Sequence, residues 1–206
     1  MPNTRPQARG RERRRLLVDA AVELFSRHGA RGTGIAAVAA RAGVTGATLL
    51  HHFGSKEGLL QAVLEERDRR EAPRWRAVVE PGGLESLRRL PEVAASWLED
   101  PGVARLHAVL LAESIEDEAP MHEYFAKRQS VLRRDLQQAI EAGQRRGEIR
   151  ADVDIRLTAI EISCFLDGAV VQWQLDPARV PLIALFEHHV DRLVAALAAP
   201  GAASTG

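Results

Sequence analysis

"AGVTGATLLHHFGSKEGLL", residues 42–60, decides how this chain folds. Ala42-Gly43-Val44 joins one short apolar segment to a second that begins at Thr45 and closes at Phe53, and Gly54-Ser55 then opens a third. Gly43 can take the left-handed backbone that turns a chain sharply within one residue. Ala39, four residues earlier, is small enough for two helices to approach, and Val38, Ala42, Val44 and Leu49 surround the corner with apolar contacts. Such a corner builds a helix-turn-helix, in which the first helix braces and the second lies in the DNA major groove. The His51-His52 pair then has a simple reading: one ring faces DNA and the other faces the protein.

The same helical spacing continues on both sides. Leu17, Ala20, Ala21, Leu24, Phe25 and His28 recur along 11–28, and Gly29 stops the segment. Thr33 is expected to cap the short helix through Ile35, Val38 and Ala39. Ser55 is expected to cap the helix after Phe53, with Glu57 in its first turn, where the helix dipole favours an acid. That helix should run past Arg70, with Pro73 marking a kink or break. Beyond Pro81-Gly82-Gly83, helices are expected near 84–99, 103–117, 121–146, 154–175 and 180–198, and no stretch alternates as a strand would. The expected fold is all-α: residues 1–54 form a three-helix DNA-binding domain with a basic arm, 55–200 form a helical bundle, and 201–206 form a disordered tail.

Composition bounds the partners. Apolar residues make up 46% of the 206, enough for a sizeable core, and a single cysteine, Cys164, excludes an internal disulfide framework. No run of about 18 apolar residues occurs, so no membrane span is expected. The arginine-rich start lacks the apolar core of a secretory signal, and a cytoplasmic protein is expected. Net charge is zero, but it is unevenly placed. Residues 1–60 carry nine Arg and one Lys against four acids, a net +6, which leaves −6 on the remainder. A basic head on an acidic body fits one end that binds a polyanion. The arm "RGRERRR" (9–15) reads equally as a groove- or phosphate-binding extension and as a solvated tail.

Residues 16–65, "LLVDAAVELFSRHGARGTGIAAVAARAGVTGATLLHHFGSKEGLLQAVLE", resemble the N-terminal domain of the TetR (tetracycline-repressor-like) family of bacterial transcriptional regulators. The match lies in the first-helix pattern, the Ala-Gly-Val turn, the Thr-Leu-x-His-His-Phe segment and Ser-Lys-Glu. "EAGQRRGEIRADVD" (141–154) and "FLDGAVVQWQLDP" (165–177) resemble the ligand-binding half of a common subgroup. The resemblance implies a homodimeric repressor of double-stranded DNA, bound to a pseudo-palindromic operator and released by a small, largely apolar effector. It implies DNA contacts from Thr33, Arg41, Thr45, Gly46, Ala47, Thr48, Leu50, His51 and Lys56. Family members often carry Lys, Gly and Tyr where this chain has Gly46, Ala47 and Leu50. Base readout is therefore expected to be mainly apolar and shape-based, with Ala47 and Leu50 against thymine methyls.

The body offers two further expectations. Helices 154–175 and 180–198 are apolar on several faces, so a four-helix dimer interface is expected at Ile162, Leu166, Val170, Leu182, Phe186, His189, Val190 and Leu193, although a large monomeric core would also satisfy them. The family resemblance, rather than periodicity, implies an effector pocket, with Trp97, His107, Leu110, Leu111, Glu113, Tyr124, Phe125, Phe165 and Trp173 as candidate lining residues; for any one of these, core packing is the commoner role. An enzyme is not expected. Adjacent helical histidines diverge, no histidine follows a glutamate by three residues, and no P-loop, nucleophile elbow or Cys-x-x-Cys occurs, so no catalytic residue, metal or cofactor is assigned.

Overall fold

The computed structural model describes residues 4–200, with side chains from Glu12 onward. The expected tail at 201–206 and the side chains of Arg5, Arg9 and Arg11 lie outside the described residues. The described chain is all-α, in ten helices: α1 (Thr4–Gly32), α2 (Ile35–Arg41), α3 (Gly46–Phe53), α4 (Lys56–Val79), α5 (Gly83–Arg88), α6 (Pro91–Glu99), α7 (Pro101–Glu113), α8 (His122–Arg145), α9 (Ile155–Leu175) and α10 (Leu182–Leu197). Ser55 caps α4 as its position suggests, its Oγ accepting from the Gly58 N–H at 3.1 Å. Asp154 caps α9 by accepting from the N–H groups of Arg156 and Leu157, both at 2.9 Å.

Three local expectations change. The helix expected over 84–99 is two helices, because Pro91 has no N–H to continue a ladder and begins α6 afresh. Pro73 does not break α4, which continues to Val79; Pro73 and Arg69 are both exposed, so water can serve the Arg69 carbonyl that the missing N–H leaves. Thr33 does not cap α2. Gly34 holds the cap position, and the buried Thr33 hydroxyl points back to donate to the carbonyls of Gly29 (2.9 Å) and Leu24 (3.3 Å). That bond staples the turn at Gly29, whose φ of 71° and ψ of 167° interrupt α1.

The helices pack as two units. One comprises residues up to Arg70 with Gly102–His122, and the other comprises Glu71–Pro101 with Glu123 onward. These packing units cross the linear division at residue 54, since α4 contributes to both and α7 joins α1–α3. In the first, Leu17, Val18, Ala21 and Phe25 of α1 are buried with Val38 and Ala39, Leu49, Leu59 and Val63, and with Leu106 and Leu110 of α7. Asp19 of α1 pairs with Arg70 of α4 at 2.9 Å, and Glu23 pairs with Arg41 of α2 at 2.5 Å, so two of the acids in the basic head tie its helices together.

In the second unit α10 packs on α5, α6 and α9. The strand-like content of the described residues is a single antiparallel bridge, Ile149 to Ala198, which ties the turn after α8 to the end of α10. Gly143 of α8 lies against the α4–α5 turn: a Cβ there would sit 2.8 Å from the Gly83 Cα and 2.6 Å from the Ile149 side chain. Backbone cannot yield as a side chain can. Gly143→Val is therefore expected to lower stability by about 1–3 kcal/mol, the usual cost of overpacking, read as a shift in urea midpoint at unchanged m. An unchanged midpoint would show that the turn moves freely.

Candidate nucleic-acid interface

The recognition element is α3. Thr45 is its N-cap: Oγ1 accepts from the Thr48 N–H at 3.2 Å and shares a hydrogen with the Thr48 hydroxyl at 2.9 Å. Because one hydrogen serves that contact, the pair retains one O–H to donate outward. Of the first-turn N–H groups, those of Gly46 and Ala47 precede the bonded Thr48 N–H and have no partner within the helix. Hydroxyl and amides together form a donor cluster suited to a phosphate.

Leu49 is fully buried, and this fixes the rotation of α3. Ala47, Leu50 and His51 consequently share the outward side, and Leu50 remains 40% exposed although it is apolar. Gly46, Thr48 and Lys56 are half-buried at the rim. His52 is also half-buried, tilted against Phe53 with ring centroids 6.2 Å apart. Gly43 supplies the corner with φ of 67°.

The structure brings Thr45, Gly46, Ala47, Thr48, Leu50, His51 and Lys56 together on α3 and the start of α4. Arg41 is exposed at the end of α2, with its guanidinium engaged by Glu23. Thr33 does not belong with them. It is only 3% exposed and its hydroxyl is committed inward, so that hydroxyl is not offered to a phosphate. Sequence reasoning gave Arg14 no individual role, yet its guanidinium lies over the Phe53 ring, 5.2 Å from the centroid, beside the end of α3. The signal was its spacing: Arg14 stands three and four residues before the buried Leu17 and Val18, on the same side of α1.

The candidate pocket residues divide between the units. His107, Leu110, Leu111 and Glu113 belong to the first, where His107 Nδ1 lies 2.9 Å from the buried Arg67 guanidinium and the Glu113 carboxylate lies 3.9 Å from Arg31. Trp97, Tyr124, Phe125, Phe165 and Trp173 belong to the second. There Phe186 gathers two of them edge-on, Trp97 at 5.6 Å and Phe165 at 4.9 Å between centroids. Tyr124 meets Phe125 edge-on at 5.2 Å.

The expected dimer contacts need correction. Ile162, Leu166, Val170, Leu182, Phe186, Val190 and Leu193 are buried within their own protomer, so none offers surface to a partner. Periodicity marked those helices as apolar but could not say which apolar side the protomer itself uses. The side left outward on α9 is Leu157 (64% exposed), Ile160, Cys164, Gly168, Val171 and Leu175 (75% exposed), spaced three or four residues apart along one face.

His189, the eighth expected contact, is half-buried and stacked on Phe165 at 3.7 Å, and its Nε2 is enclosed without a hydrogen-bond partner. Burial pushes its pKa below the ordinary histidine value, Glu161 opposes that shift, and Arg192 and His188 add to it. The folded state thus favours the neutral ring. Its contribution to stability is present above the unfolded-state pKa of about 6.5 and is lost as pH falls through the lowered folded value. His189→Phe, which keeps the stack, should lose less melting temperature than wild type between pH 7.5 and 5.5; equal losses would remove His189 from the account.

Comparison with known proteins places these features. The model of "Bacterial regulatory proteins, tetR family" matches residues 17–63, and that of "BetI-type transcriptional repressor, C-terminal" matches 84–198. The HTH-type transcriptional regulator TtgR of Pseudomonas putida is 26% identical over 194 residues, covering 91% of this chain and 92% of its own. The fold is also that of SmeT, the repressor of the Stenotrophomonas maltophilia multidrug efflux pump SmeDEF; its triclosan complex superposes with a TM-score of 0.79 at 18% identity, over 93% of this chain and 94% of that one. FadR of Bacillus subtilis in complex with stearoyl-CoA superposes with a TM-score of 0.72 at 22% identity, over 87% and 96%. Among the described residues no helix is long and apolar enough to cross a membrane, and no cluster of three or more His, Cys, Asp or Glu could hold a metal ion.

Proposed function

The chain belongs to the TetR family of bacterial regulatory proteins, and on that premise we propose that it is a cytoplasmic, homodimeric repressor released from a pseudo-palindromic operator by a small, largely apolar effector. It is a DNA-binding transcriptional regulator; we assign it no catalytic chemistry. Residues 1–54 read the DNA, and 55–200 carry the effector and the dimer contact.

The observation that carries this reading is the outward side of α3, where Ala47, Leu50 and His51 stand clear while Leu49 locks the helix to the head. Ala47 and Leu50 meet thymine methyls, His51 meets a base edge or phosphate, and the Thr45–Thr48 cluster, Lys56 and Arg14 hold the backbone. Arg41 adds charge at the rim through a guanidinium it shares with Glu23.

Two copies meet through the outward face of α9. Its centre is small, at Cys164 and Gly168, and its ends are large, at Leu157 and Leu175. A two-fold crossing at the centre buries both ends and sets two α3 helices against two half-sites. The effector lies against the aromatic side chains of the second unit: Trp97, Tyr124, Phe125, Phe165 and Trp173. A ligand that prefers a state with α4 displaced alters the spacing of the two α3 helices and weakens operator binding by its differential affinity for the two states.

Selection of bound duplexes from a randomised pool at moderate salt tests the reading. A two-fold-symmetric motif with A·T pairs facing Ala47 and Leu50 is the expected result. A motif with G·C at every half-site position would overturn apolar readout. Binding without any motif, lost as salt rises, would reduce the interface to non-specific charge contact.

A further inference from the structure

Gln129 interrupts an otherwise apolar row on α8. Phe125, Gln129, Leu132 and Leu136 succeed one another at helical spacing along one side, and all are buried or half-buried. The orientation of the Gln129 amide is fixed by α9: its Nε2 donates to Oδ2 of Asp167 at 2.6 Å. The flipped amide would set a carbonyl oxygen against a carboxylate oxygen, so the amide cannot turn. Oε1 therefore faces away from the carboxylate, and that oxygen is enclosed without a hydrogen-bond partner. The large majority of buried side-chain polar atoms in native proteins have a hydrogen-bond partner, so an orphaned amide oxygen is a candidate place for something else to supply a hydrogen.

We propose that Gln129 is the polar anchor of the effector site and that it selects an uncharged, apolar molecule bearing a hydroxyl donor over its carboxylate analogue. The proposal rests on the effector reading under Proposed function and specifies the chemistry of that site. An amide oxygen can only accept, so it pairs with a phenol or alcohol O–H and not with a carboxylate, which has no hydrogen at neutral pH. The Asp167 charge, one hydrogen bond away, disfavours an anion further. Phe125, one turn before Gln129 and buried, supplies an apolar wall for the body of such a molecule. Discrimination arises from the asymmetry of hydrogen bonding: a ligand without the donor leaves the oxygen as unpaired as before while displacing any water that could serve it.

Calorimetric titration of the full chain with three matched probes tests this: para-hexylphenol, its methyl ether para-hexylanisole, and para-hexylbenzoate. Wild type is expected to bind the phenol at least about 10-fold more tightly than the ether, and the benzoate more weakly still. Gln129→Met, close in volume but without a strong acceptor, should lose the preference for phenol over ether. Benzoate binding as tightly as phenol, a preference that survives in Gln129→Met, or no binding by any of the three would each overturn the proposal. The phenol-to-ether ratio is read on wild type, so the test stands even where a variant fails to fold. Operator release is scored separately on the same samples. A Gln129-dependent phenol preference without release overturns the effector reading and leaves the anchor standing. Release by benzoate, without any phenol preference, does the reverse.

Discussion

Gly168→Arg on α9 is expected to leave the protomer folded and to reduce affinity for a palindromic duplex by about 10²–10⁴-fold. A Cβ added at Gly168 meets no atom within 4 Å beyond its chain neighbours and its own helix backbone, and the position is exposed, so a longer side chain can extend into solvent. Arginine also has the better helix propensity. The partner has no such room if Cys164 and Gly168 mark the crossing of two α9 helices. Two symmetry-related guanidinium groups would then be forced together within an apolar contact, with like charges opposed and neither one paired. Once the protomers separate, the second half-site no longer binds as an intramolecular event, and the advantage of linked binding disappears. Sedimentation should show a monomer with an unchanged far-ultraviolet spectrum, and anisotropy titration should show the loss on the full palindrome with little change on a single half-site. A variant that stays dimeric at full affinity would place the interface elsewhere.

Two adjacent leucines should behave in opposite ways. Leu49→Ala is expected to cost about 2–5 kcal/mol, enough to unfold much of a marginally stable head, and to abolish specific DNA binding with it. Leu49 is fully buried and is the residue through which α3 holds its rotation against the head, so truncation leaves a cavity at the joint that aims the recognition helix. Leu50→Ala should leave the melting temperature within about 1 °C, because its side chain already faces solvent. Its cost falls on discrimination at the position it contacts, where a mismatched base pair ordinarily costs about 1–3 kcal/mol. Chemical denaturation and competition between the selected duplex and a single-substituted one separate the two effects. If Leu50→Ala melts early, or Leu49→Ala binds normally, the assignment of inner and outer sides on α3 is wrong.

Buried polar side chains of the first unit are tied to neighbouring groups, and the second unit encloses two side-chain atoms that lack partners. In the first unit three buried polar side chains are tied to neighbouring groups: Thr33 to the turn at Gly29, Glu66 to Arg70, and Arg67 to His107. Such ties hold the DNA-reading helices as a body. In the second, Gln129 Oε1 and His189 Nε2 are enclosed without partners, beside Asp167 and Phe165 respectively. Unmet hydrogen-bonding capacity is unfavourable in a ligand-free interior and becomes an asset once a ligand supplies the missing partner.

Much of this molecule was legible in residues 42–60, because a helix-turn-helix is specified locally. Gly43 must turn the chain, Ser55 must cap the helix after it, and Leu49 and Leu50, about 100° apart on the helix, must point in different directions whatever surrounds them. The helical periods of the body were equally legible, since a 3.6-residue repeat needs no knowledge of the partner that covers it. Thr33 was misread for a reason local pattern cannot supply: a threonine between two helices can donate forward to a ligand or backward to a carbonyl, and the kink at Gly29 decides that it donates backward. The dimer contacts failed similarly. Ile162 and Leu166 differ little in hydrophobicity from Ile160 and Val171; only the positions of α8 and α10 determine which side of α9 is buried at home and which remains for a second copy. Sequence by itself determined most of the helices, the corner and the class of partner, all set by interactions a few residues apart. The tertiary structure alone decided the direction of each hydroxyl, the outward face of each helix and the atoms left unpaired, because those depend on neighbours distant in the chain.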